Sequence, residues 1–268
     1  MEFAIICLLA AGLSGGFING LAGFGTGLFA LGWLLQVMPP QQAVAIVVLV
    51  SVLISMPGVW KVRKHIRARR QARFLLPALI GMPLGFGLLQ SLDMRMLSLL
   101  VAALMLVYGG YFSLRRTLPL ISGNWYSVDV GAGFLGGVLG AMAGLSGAVP
   151  SMWIALRPWP KTEQRGALQP FNVVILGIMS ILMWRDGIFD RAVLQAMLII
   201  LPASLAGSLF GLWCFGKMPE GLYSRILIGL MLLSGVVLMA RTLAVQFPEP
   251  VSIAGFESQK GADDGPAA

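Results

Sequence analysis

The chain alternates long apolar blocks with short polar stretches. The blocks cover roughly 3–35, 42–60, 74–91, 96–114, 129–156, 166–184, 192–215 and 224–241. Runs of about 20 apolar residues cross a bilayer as helices, because hydrocarbon offers backbone N–H and C=O groups no partner outside their own segment. Two blocks, 3–35 and 129–156, are too long for one span and too short for two. Each carries a glycine-rich stretch, from Gly15 to Gly27 in the first and from Gly136 to Ala148 in the second. Glycine costs a helix about 1 kcal/mol per residue relative to alanine. A cluster of glycines therefore predicts a backbone that breaks or is closely approached. The expectation is that each long block is a pair of half-helices meeting inside the membrane. A single long tilted helix is the alternative.

The two stretches also look like copies. They align at an offset of 121. Leu76-Pro77-Ala78 matches Leu201-Pro202-Ala203 at 125, while Leu104-Met105-Leu106 matches Leu230-Met231-Leu232 at 126. Arg115 matches Arg241, also at 126. Order is kept and drift is small, as in an internal duplication. The division this predicts is a first transmembrane repeat over 1–116, a linker over 117–127, a second repeat over 128–241 and a poorly ordered tail over 242–268. The fold class is all-α polytopic membrane protein, with two related four-element halves. That gives about eight hydrophobic segments, or ten helices if each glycine-rich element is a broken hairpin. Pro77 and Pro202, at matched places, are expected to kink their helices.

Composition agrees with the pattern. Hydrophobic residues make up 57% and charged residues 11%, against about 25% charged in soluble domains. The net charge of +8 could suggest nucleic acid, but the cations gather between apolar blocks. Residues 61–73 hold seven Lys/Arg and no acid, which predicts a cytoplasmic loop. If each glycine-rich element turns back on itself, inside connections hold 14 cations and outside ones 5; if each crosses once, the split is 13 to 6. That count does not separate the two topologies, which disagree on the termini and on Arg157, Lys161 and Arg165. Trp33, Trp60, Trp125, Trp153, Trp159 and Trp184 stand near span ends, as interfacial anchors would. Cys7 and Cys214 read as buried small hydrophobes. Glu2 replaces the basic start of a signal peptide.

The chemistry is defined by what the apolar blocks contain. All eleven acids fall at span ends, in loops or in tails, which argues against a carboxylate relay or a hard-cation site. The one histidine, His65, lies in the basic stretch, so neither a catalytic constellation nor a metal cluster is expected, and no cofactor. What remains inside is neutral polarity: Ser14, Asn19 and Thr26 in the first half, Ser146, Gln169 and Asn172 in the second. Half-helix N-termini can hold an anion through backbone N–H groups without a lysine. Broken helices in transporters use this device near the midplane. The candidate substrate-binding residues are therefore Asn19, Gly23, Gly25, Thr26, Gly27, Gly144, Ser146, Gly147 and Asn172. The competing reading is that the glycines only permit tight packing and the hydroxyls bond back to their own helix.

The motifs Gly20-Leu-Ala-Gly23-Phe-Gly25-Thr-Gly27 and Gly140-Ala-Met-Ala-Gly144-Leu-Ser-Gly147, one opening each half, resemble those of the TauE/SafE family of sulfite exporters. The resemblance spans about residues 3–242. It implies an inner-membrane transporter with inverted repeats that moves sulfite, a sulfonate or a related organic acid, and it favours the turned-back topology. The expected partners are a small anionic substrate and the lipid bilayer, with no nucleic acid; a homo-oligomer is compatible with this. The expected function is a secondary carrier of a small anion, exporting it. A channel or carrier for a neutral or cationic solute, and a non-transporting assembly factor, are the rivals. An enzyme is not expected.

Overall fold

The computed structural model describes residues 2–91 and 120–244, and between them parts of a helical stretch within 99–113. The fourth block of the first half thus lies partly outside the described residues, as do part of the linker and all of the tail beyond residue 244. Every described secondary-structure element is helical. Five helices are long and apolar enough to cross a membrane. The chain is an all-α polytopic membrane protein.

The first long block forms α1 (Glu2–Ala22) and the short α2 (Thr26–Leu34). α1 is a full span rather than the expected half-helix, and only α2 is short. The chain reverses at Gly23 and Gly25, with φ of 85° and 94°. A side chain in this left-handed region costs roughly 1–2 kcal/mol, so glycine is the residue that permits the turn. α2 then lies back along α1: a Cβ on Gly15 would touch Thr26 and Ala30.

α3 (Pro40–Val62) starts with Pro40 in its first turn, where the missing N–H costs nothing. A 3-10 turn (Arg63–His65) leads to α4 (Ala68–Ser91). The basic stretch 61–73 is therefore mostly helix ends, not the loop its charge suggested. Lys and Arg are good helix formers, and the helices extend past their apolar portions. α4 runs unbroken through Pro77 and Pro83, as does the later helix Arg191–Lys217 through Pro202.

The second long block gives α5 (Tyr126–Ala143) and α6 (Ala148–Ala155), divided at Gly144, φ 67°. α6 likewise folds back, since a Cβ on Gly136 would meet Ser146 and Pro150. α7 (Lys161–Arg185), α8 (Arg191–Lys217) and α9 (Glu220–Ala244) follow. Asp190 caps α8, its carboxylate accepting the Val193 N–H at 2.9 Å.

Each opening helix packs against the helix formed by the third apolar block of the other half: α1 along α8, and α5 along α4. Both contacts are parallel and built on glycines. Gly12, Gly16 and Gly20 meet Ala203, Ser204 and Ser208 in turn. Gly133 and Gly137, 121 positions after Gly12 and Gly16, meet Phe74 and Ala78. Such backbone approach is what small residues allow where no hydrophobic force drives helices together. α3 packs against α7.

The ends of the bundle differ. At one, Gln42 donates to Asp190 at 2.7 Å. At the other, Arg67 and Arg70 both reach Glu163 at 2.9 Å, and Arg70 stacks on Trp159 at 3.7 Å. Arg157, Lys161 and Arg165 thus stand at the same end as the 61–73 stretch, the arrangement of the turned-back topology. α1 runs toward this basic end and α5 runs away from it. Trp153 departs from the anchor expectation: it is buried, and its indole N–H donates to the Asp129 carboxylate at 2.6 Å.

Candidate functional site

The two breaks meet. A Cβ on Gly147 would collide with Phe24 and touch Asn172. Between the breaks lies a cavity of about 10 Å³, walled by residues of both together with Ser51 of α3 and Asn172 and Leu176 of α7. That volume holds about one water molecule. Seven of the nine sequence-derived residues line it: Asn19, Gly25, Thr26, Gly144, Ser146, Gly147 and Asn172. Gly23 and Gly27 do not. Gly27 is buried in the first turn of α2, while Gly23 contributes through its carbonyl.

Side-chain hydrogen bonds join the walls. Asn19 donates to Thr26 Oγ1 at 3.0 Å and accepts from Ser55 at 3.1 Å. Ser146 donates to Asn172 Oδ1 at 2.8 Å, and Asn172 donates to the Gly23 carbonyl at 3.0 Å. Asn172 therefore binds both breaks at once. Each amide nitrogen carries a second proton, and Thr26 keeps its hydroxyl proton, so donors remain for a ligand. Ser14 behaves differently. Its hydroxyl returns to Ala10 C=O at 2.6 Å, the helix back-bonding that the packing alternative foresaw.

The electrostatics follow from the backbone. α2 and α6 both start at the cavity, with N-caps Gly25 and Gly147 that provide no side-chain hydrogen bond. First-turn N–H groups lack intrahelical partners and carry the positive end of the helix dipole. The lining has no ionisable side chain; Phe24, Leu28, Leu145 and Leu176 supply apolar surface. This combination favours a small, negatively charged or strongly accepting ligand. Among the described residues no group of three His, Cys, Asp or Glu could hold a metal.

The sequence reading missed one residue beside this site. Arg165, counted there only as a cation between spans, is fully buried on α7. Its Nε donates to Gln169 Oε1 at 2.8 Å and Nη1 donates to the Leu21 carbonyl at 3.2 Å. Gln169 in turn donates to the Ser55 carbonyl at 3.2 Å. The signal was present: Arg165, Gln169 and Asn172 stand at i, i+4 and i+7, one face of a helix.

The family described as sulfite exporter TauE/SafE has a model that matches residues 8–238 of this chain. Comparison with curated proteins and with solved structures gave no match.

Proposed function

The chain belongs to the TauE/SafE sulfite exporter family, and from that membership, which makes it a membrane transporter of the exporter type, we propose that it is a secondary carrier whose substrate is a small oxyanion: sulfite, a sulfonate or a related organic acid. The observation that carries this reading is the cavity between the two breaks. Two helix N-termini open on it, donors from Asn19, Thr26 and Asn172 remain, and no carboxylate lines it. An anion gains from each of these, while a cation would find no counter-charge in the lining.

The cavity is too small for a four-atom oxyanion, so the present form is closed. Binding requires Phe24 and Gly147, which press together across the cavity, to separate. Motion of one half against the other would do this and would expose the site to each side in turn. The opposite directions of α1 and α5, and the matched glycine contacts of α1 with α8 and α5 with α4, support inverted repeats over 1–116 and 128–241. The cation-rich end is the cytoplasmic one on this reading, in an inner membrane. A potential negative inside then favours anion exit by about 2.3 kcal/mol per charge per 100 mV.

The test is a thermal-shift panel of sulfite, sulfonates, sulfate and carboxylates on detergent-purified protein, followed by flux in proteoliposomes. A specific anion at 100 times its Kd stabilises by about 2.7 kcal/mol. Asn19→Ala with Ser146→Ala should abolish both the shift and the flux. Flux that does not depend on any anion in the panel would overturn the proposal.

A further inference from the structure

The cavity leaves unused a cluster of cations at the basic end. Arg165 lies over the Phe215 ring at 4.4 Å, and Lys161 lies 5.0 Å from the same ring. Lys161 donates to the carbonyls of Phe215 and Met218. Lys61 donates to the Leu212 carbonyl at 3.2 Å and sits within electrostatic reach of both Arg165 and Lys161. Three positive charges are thus gathered around the last turns of α8. The two lysines donate to backbone carbonyls, and the contacts of Arg165 include a carbonyl, an amide and an aromatic face. The neighbouring carboxylate, Glu163, is engaged by Arg67 and Arg70.

Gathering like charges is costly, and burying a guanidinium adds a desolvation cost. The position of the cluster explains why such an arrangement would be kept. Arg165, Gln169, Asn172 and Leu176 form one face of α7, and the last two line the cavity. The first break rests on the same face, since a Cβ on Gly23 would lie 3.4 Å from Arg165 Cγ. One helix face therefore leads from the cationic cluster to the cavity.

We propose that Arg165, Lys61 and Lys161 form a second anion station, between the cavity and the basic face of the bundle, for the same small oxyanion that the cavity takes. It rests on the anion reading given above. The planar guanidinium of Arg165 is the inner member and suits two oxygens of a sulfite or carboxylate. Exposed Lys61 and partly buried Lys161 raise the local anion concentration at its mouth. The station is one-sided: it serves anions arriving from, or leaving to, the basic face.

Labelled sulfite transport in right-side-out and inside-out membrane vesicles tests this, with Lys61→Gln, Lys161→Gln, Arg165→Lys and Arg165→Gln. A unit charge about 10 Å from the anion, at an effective dielectric constant of about 20, is worth about tenfold in affinity before salt screening. Each lysine variant should therefore raise the half-saturating sulfite concentration about three- to tenfold at the basic face, leave the opposite face unchanged, and lose this difference in high salt. Arg165→Gln should reduce transport at least tenfold, with Arg165→Lys partly restoring it. Both lysines are accessible enough to be replaced without harming the fold, so they decide the matter if Arg165→Gln does not fold. Wild-type half-saturation at both faces in the two lysine variants overturns the station while leaving the cavity reading intact. A wild type that neither binds nor moves sulfite sinks the anion reading on which the station depends.

Discussion

The side-chain amide of Asn172 donates to the carbonyl oxygen of Gly23 at 3.0 Å, joining the middle of α7 to the first break. Because Ser146 donates to the same side chain at 2.8 Å, one residue clasps both breaks. Removing it would leave the Gly23 carbonyl and the Ser146 hydroxyl without this partner in a buried place. Asn172→Ala should lower unfolding stability by about 2–3 kcal/mol and remove the anion-induced thermal shift. Calorimetry with and without sulfite measures both. Wild-type melting and a wild-type sulfite response would show that the clasp is not energetically real.

The glycine contacts between halves predict a contrast within one residue type. A Cβ on Gly20 would overlap the Ser208 backbone, and one on Gly137 the Ala78 backbone. Backbone cannot rotate away as a side chain does, so the helices must separate. Gly20→Ala and Gly137→Ala should each cost about 1–3 kcal/mol through overpacking. Gly131→Ala and Gly177→Ala, where nothing lies within 4 Å, should be neutral or up to about 1 kcal/mol more stable through helix propensity. Melting temperatures of the four variants in one detergent compare them directly. Equal losses in all four would contradict close packing as the role of the buried glycines.

Asp129 and Trp153 form a third measurable pair. Asp129 is buried in the first turn of α5, accepts the Trp153 indole N–H at 2.6 Å and lies 3.8 Å from Arg73. Trp153 belongs to α6, whose N-terminus opens on the cavity. Asp129→Leu should cost about 1.5–3 kcal/mol, the range for a hydrogen bond to a charged group. Asp129→Asn keeps an acceptor and should lose less. Tryptophan emission reads the change locally, set against Trp153→Phe to isolate the contribution of this indole. An unaltered spectrum in Asp129→Leu would count against the bond.

Much of this arrangement was legible in one dimension. The apolar blocks and a break within each glycine-rich stretch follow from hydropathy and from the backbone freedom that only glycine has; the structure places the left-handed turns at Gly23, Gly25 and Gly144. Asn19, Thr26, Ser146 and Asn172 reached the cavity because polar side chains inside apolar blocks are few and seek one another, and Gly25, Gly144 and Gly147 because the two breaks themselves wall it. Gly27 lies outside the lining; glycine in a motif is equally consistent with turning, packing or lining. Trp153 was misplaced because nearness to a span end does not decide whether a side chain faces lipid or protein, and this one packs inward onto Asp129. Arg165 was missed because charge alone suggests a solvated position, and its burial depends on Leu21, Phe215 and Gln169 converging from three helices.

What the sequence determined by itself is local: which segments are apolar enough to enter the bilayer, where the backbone breaks, and that the acids stand toward the ends of the apolar blocks and not deep within them. These depend on each residue's own transfer free energy and dihedral freedom. The tertiary structure decided which break faces which. It set Asn172 as the clasp between Gly23 and Ser146, paired each opening helix with the other half, and brought Lys61, Lys161 and Arg165 together. The two bonds of Asn172 alone join residues 26 and 149 positions apart. They are fixed by the close approach of whole helices, which no single stretch of sequence encodes.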